Sequence, residues 1–229
     1  MPESQFSTAQ LAKMIIVRFV GGLLVLAAMF FLPAGTLDYW EAWVYIVVLF
    51  VPITIVLRYL IRHDPALLER RMRMKEREAE QKLIVKLSFV WFFVMFLLPG
   101  FDRRFEWSNV PVALVLAADV LVLLGYFGVF WVFRENTHTS RVVEVEQDQK
   151  VISSGPYAIV RHPMYVGVLT MYLLTPLALG SYWGAIPALL MVPMLIARIH
   201  NEEKVLGKEL PGYLEYTQKV RYRLIPRVW

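Results

Sequence analysis

Two short stretches of the chain carry residues that a plain membrane anchor does not need. The first runs Gly155-Pro156-Tyr157 and then Arg161-His162-Pro163-Met164-Tyr165-Val166-Gly167. Gly155-Pro156 predicts a turn, while Pro163 biases His162 toward extended backbone and suits the first position of a helix. Arg161 and His162 then stand at a helix N-terminus. Open backbone N–H groups, the positive end of the helix dipole, a guanidinium and an imidazole gather there, which suits an anionic or carboxylate-bearing ligand. The same residues fit equally well a basic collar at a membrane interface, with Tyr157 and Tyr165 in its aromatic belt.

The second stretch is Arg198-Ile199-His200-Asn201-Glu202-Glu203. Arg198 and Glu202 are four apart and share one helix face, with Glu203 about 100° away. Such a set can hold a cationic ligand or position a polar acceptor, or it can be an ordinary surface ion pair that contributes little. Tyr213 and Tyr216 follow, and Arg221-Tyr222-Arg223-Leu224-Ile225-Pro226 comes near the end of the sequence. Asn136, His138 and Ser140 trail an apolar run and can line a pocket mouth or end a helix. Asp119 lies inside an apolar run, where an ionisable residue suggests function by default; a structural partner inside the bundle is the preferred expectation.

Other chemistries find no footing. The four histidines, at 63, 138, 162 and 200, lack metal-ligand spacing, and there is no cysteine for a thiolate zinc site or a thiol nucleophile, so no metal is expected. Neither a dinucleotide glycine fingerprint nor a phosphate-binding P-loop nor a nucleophile elbow is present.

The elements that must carry these residues are membrane helices. Of 229 residues, 58% are apolar, and the mean hydropathy is +0.51; soluble domains hold about 45–50%. Charge-free or nearly charge-free runs cover Phe19 to Leu37, Ala42 to Leu57, Leu87 to Phe101, Trp107 to Phe133 and Pro163 to Ala197. The last, 35 residues long, would reach about 52 Å as one helix and exceeds a hydrocarbon core of about 30 Å. Gly180-Ser181 near its centre predicts a hairpin of two short helices, Pro163 to Leu179 and Tyr182 to Ala197. The expected fold class is therefore an all-α integral membrane bundle of about six transmembrane helices, with five possible if the last run is one helix broken at Pro176 or Pro187. Gly125 and Gly128 are candidates for close helix contact. Asp64-Pro65 opens an expected interfacial helix over 64–82.

With six spans, 22 of the 24 lysines and arginines fall on one side and only Arg103 and Arg104 on the other. Both termini are then expected to be cytoplasmic, as in a protein of the bacterial inner membrane. Topology and anionic membrane lipids explain the net charge of +5, and no nucleic-acid partner is expected.

Together the two stretches form G-P-Y-x-x-x-R-H-P-x-Y-x-G, a hairpin, then R-x-x-x-E-E-x-x-L and spaced tyrosines before R-L-x-P. This pattern resembles the isoprenylcysteine carboxyl methyltransferase family and its phospholipid N-methyltransferase relatives, over about the last third of the chain. The resemblance implies one membrane domain, with helices over 1–134 and a cofactor-binding catalytic portion over 135–229. It implies S-adenosylmethionine as cofactor, and as acceptor a lipophilic small molecule or lipid-anchored group that enters from the lipid side. By the same resemblance, Tyr157, Arg161, His162, Pro163, Tyr165, Gly167, Glu203, Tyr213 and Tyr216 would bind the cofactor, and Arg198 and Glu202 would act at the acceptor. Two other functions are consistent with the sequence: an NADPH-dependent sterol-type reductase, from the Y-R-L-I-P ending, and a non-enzymatic small transporter, from Asp119.

Overall fold

The computed structural model describes residues 8–72, 79–139, 145 and 149–229. Eight α-helices stand among them: α1 (Thr8–Ala34), α2 (Trp40–His63), α3 (Pro65–Met72), α4 (Ala79–Phe105), α5 (Val112–Glu135), α6 (Pro163–Ala178), α7 (Ala185–Glu209) and α8 (Tyr213–Lys219), with a 3₁₀ turn at Gly155–Ala158. The chain is an all-α integral membrane protein. Four helices, within α1, α2, α4 and α5, are long and apolar enough to cross a bilayer. On α5, Leu116, Val120, Leu124, Phe127 and Trp131 form an outward stripe at helical spacing, each at least 46% exposed. Water would penalise such a face, whereas acyl chains solvate it.

The hairpin forms as its length requires. The apolar run turns between Leu179 and Gly184, where Gly180 takes φ +71°, a left-handed value that glycine adopts without strain. Ser181 N–H donates to Pro176 O at 2.8 Å and closes the turn. α6 and α7 are thus separate helices, not one long helix broken at a proline. α7 continues without a break from apolar Ala185 to Glu209, so Arg198, Glu202 and Glu203 ride on the extension of the apolar segment beyond Ala197.

Side-chain size decides which helices touch most closely. A Cβ at Gly167 would lie 2.6 Å from Gly125 O and 2.8 Å from Val129 Cγ2, so α5 and α6 meet backbone to backbone. Gly125 therefore serves the close contact expected of it. Gly128 does not: nothing lies within 4 Å of its would-be Cβ. Asp119 also departs from expectation. It is 4% exposed, yet neither carboxylate oxygen has a hydrogen-bond partner among the described residues, so the structural partner expected for it is not found there.

At the hairpin tip, Ser181 donates to Asp102 Oδ2 at 2.5 Å and Ser108 donates to the same oxygen at 2.7 Å. The Tyr39 hydroxyl donates to Leu179 O at 2.6 Å. These bonds fasten the tip to the ends of α2 and α4, so the opposite end of the hairpin is presented by a fixed support. α3 begins as expected, with Asp64 Oδ1 accepting from Leu67 N–H at 2.9 Å. Of the remaining residues in the expected helix over 64–82, 73–78 lie outside the described residues and 79–82 belong to α4.

Candidate active site

The first motif is shaped by its turn. Gly155 has φ +55°, and a Cβ there would run into the Glu135 carboxylate at 2.8 Å, so only glycine fits. The 3₁₀ turn that follows delivers Tyr157, whose hydroxyl accepts from Asn136 Nδ2 at 3.1 Å and whose carbonyl accepts from the Tyr216 hydroxyl at 2.8 Å. The chain then extends through Arg161 and His162, whose N–H groups donate to Tyr222 O at 2.9 Å and Arg223 O at 3.0 Å. Pro163 opens α6 where its missing N–H is no loss.

Behind this strand-like pairing sits an ionic hub. Glu203 Oε1 accepts from Arg161 Nε at 2.8 Å and lies 3.1 Å from His162 Nε2, while Oε2 accepts from Arg223 Nε at 2.8 Å. Arg161 Nη1 donates to Val220 O at 3.1 Å and Arg221 O at 2.9 Å. Burial opposes ionisation of the Glu203 carboxyl, but hydrogen bonds from His162 and Arg161, aided by their charges, outweigh it and bring it from 4.5 down to about 2. Arg161 is thus chiefly a fastener of the C-terminal segment to α7, a use that its place at a helix N-terminus did not disclose.

In front of the hub opens a cleft of about 860 Å³ including the open space at its mouth. Tyr157, Arg161, His162, Pro163, Tyr165, Arg198, Glu202, Tyr213 and Tyr216 all line it. Of the residues expected to act, Gly167 and Glu203 do not: Gly167 packs against α5, and Glu203 lies behind the wall. Asn136 and His138 line the cleft as well, whereas Ser140 lies outside the described residues. Thr139, Gln149, Lys150, Val151 and Ile152 complete a wall that no motif announced.

The two halves of the cleft differ in how their polar groups are satisfied. The Tyr165 hydroxyl donates to Glu202 Oε2 at 2.6 Å and accepts from Arg198 Nε at 3.0 Å. Tyr213, 5% exposed, has a hydroxyl with no hydrogen-bond partner among the described residues. Burial, then the charges of Glu203 and Glu202, push the Tyr213 phenol well above its ordinary value, and burial holds Tyr216 up to about 12. Both are neutral phenols at pH 7, able to donate.

A family model described as phospholipid methyltransferase matches residues 113–210, the stretch from α5 through α7. The chain is also similar to Protein-S-isoprenylcysteine O-methyltransferase B of Arabidopsis thaliana, 30% identical over 141 residues, which cover 60% of this chain and 68% of that protein. The chain belongs to the isoprenylcysteine carboxyl methyltransferase family. It is a membrane methyltransferase, a reading that displaces the reductase and transporter alternatives. The family match ends at Leu210, itself on the cleft wall, so Tyr213 and Tyr216 are added to the cleft by the segment beyond it.

Proposed function

We propose that the cleft binds S-adenosylmethionine and directs its methyl group to a lipophilic acceptor, a prenylcysteine-like carboxylate or another lipid-like molecule, at the cytoplasmic face. The observation that carries this reading is the convergence of the Arg161-His162-Pro163 and Arg198/Glu202 segments on one cleft at the end of the hairpin opposite its tip. The orphaned Tyr213 hydroxyl fits such a ligand, because a buried phenol without a partner is costly until a polar group meets it. Tyr157, Arg161, His162, Pro163, Tyr213 and Tyr216 would form the cofactor wall. Gly167 and Glu203 would serve from behind, one by seating α6 and the other by holding Arg161 and His162. Lys150, Arg161 and Arg198 on the cleft wall, with the excess of basic residues in the loops that the sequence assigns to one side, support the cytoplasmic assignment.

When bound, S-adenosylmethionine would supply an electrophilic methyl carbon, whose bond to the acceptor's lone pair would form in line as the C–S bond breaks and its electron pair leaves with sulfur as a neutral thioether. The protein's task is alignment and exclusion of water. Glu202 places negative charge near the cation. Arg198 orients a carboxylate acceptor, which needs no base at neutral pH. For an amine acceptor, Glu202 takes the proton released on transfer. The test is methyl transfer from tritiated S-adenosylmethionine to N-acetyl-S-farnesylcysteine or to a total lipid extract, with purified protein in detergent. Label in the organic phase is expected; no label with either acceptor overturns the reading.

A further inference from the structure

Two tyrosine hydroxyls of the cleft lining are in opposite states. That of Tyr213 has no hydrogen-bond partner among the described residues, whereas that of Tyr165 donates to Glu202 and accepts from Arg198. A phenol owns one proton and two acceptor lone pairs. Tyr165 has therefore committed its proton and one lone pair to α7 and retains little for a polar ligand. Its ring is equally committed. It is 7% exposed, stacks on His162 at 5.7 Å between centroids and 29° between planes, and packs in a cluster with Leu195, Ile199 and Leu224.

Arg198 and Glu202 are long side chains with much rotamer freedom to lose, and alignment is most of what methyl transfer asks. A phenol has only two torsions, and here the ring is buried, stacked on His162 and packed in an apolar cluster. One rigid oxygen therefore fixes the guanidinium and the carboxylate at a set separation, and it does so from the other arm of the hairpin. Resting on the methyltransferase reading above, we propose that Tyr165 is a positioning residue for the acceptor half of the site, setting Arg198 and Glu202 for transfer, and is not a cofactor contact.

The experiment uses the full chain in detergent, with tritiated S-adenosylmethionine as donor and N-acetyl-S-farnesylcysteine or lipid extract as acceptor. Cofactor binding and transfer by the unaltered protein are measured first, and failure there counts against the proposed function, not against Tyr165. Tyr165→Phe is then expected to keep the cofactor Kd within about twofold, which also shows the cleft intact, while kcat falls about ten- to a hundredfold. In a cycle with Glu202→Gln, Tyr165→Phe is expected to cost less than it does in the unaltered protein, because part of what the phenol does is to set that carboxylate. Unchanged kcat in Tyr165→Phe overturns the proposal. So does a raised cofactor Kd with kcat retained, and so do additive losses in the cycle.

Discussion

Glu203 accepts from two guanidinium groups and lies beside an imidazole, with its side chain 13% exposed. Removing one partner from a buried ionic set leaves the others uncompensated, at a cost of about 3–5 kcal/mol. Glu203→Gln is therefore expected to lower thermal stability by that order and to loosen the C-terminal segment. The pH dependence has a definite sign. Because the folded carboxyl sits at about 2, below its ordinary 4.5, its contribution is complete above pH 4.5 and is lost as pH falls toward 2. Melting in detergent between pH 7 and pH 3 should show a loss in the native chain that is smaller in Glu203→Gln; parallel curves would contradict this. The sequence displayed the residue types of this hub but not their pairing, since Arg161 and Glu203 are 42 positions apart. Periodicity placed Glu203 about 100° from Glu202 and about 140° from Arg198, and that angle turned it from the cleft into its rear wall. The saturated state of Tyr165 and the orphaned state of Tyr213 were illegible for the same reason: both depend on which side chains arrive from another element.

At the scale of elements, length and charge made the helices and hairpin legible. A 35-residue apolar run cannot cross a bilayer as one helix, and the only flexible point near its middle is where the chain turns. Which faces meet was not legible, because α5 is apolar nearly all round. Gly125 and Gly128 stand three apart and look alike in sequence, yet only Gly125 faces α6. This contrast sets a paired test. Gly167→Ala would put a Cβ 2.6 Å from Gly125 O, and such overpacking costs about 1–3 kcal/mol. Gly128→Ala has open space and should be neutral or stabilising by up to about 1 kcal/mol. Thermal melts of the two variants should move in different directions or by clearly different amounts. The wall from Gln149 to Ile152 belongs here too: an irregular segment follows no period, and its place beside Tyr213 and Leu210 is set by tertiary packing alone.

For the whole molecule, the distribution of basic residues predicts the orientation. The chain has no cysteine, so single cysteines report sidedness cleanly. Glu215→Cys, exposed on α8 beside the cleft, should react with an impermeant maleimide only from the cytoplasmic side, and Asn109→Cys, exposed between α4 and α5, only from the opposite side. Reversed labelling would overturn the cytoplasmic assignment while leaving the cleft intact. The fastened hairpin tip at one end and the ionic hub at the other frame the cleft; in the proposed function a water-soluble donor and a lipid-borne acceptor meet there. The central claim is that this cleft is a binding site for S-adenosylmethionine, and calorimetric titration of the purified chain with that ligand tests it most directly. One binding site per chain is expected, with affinity reduced about three- to tenfold in Tyr213→Phe through loss of one hydrogen bond; absence of binding at millimolar ligand, or binding indifferent to Tyr213, would contradict the account.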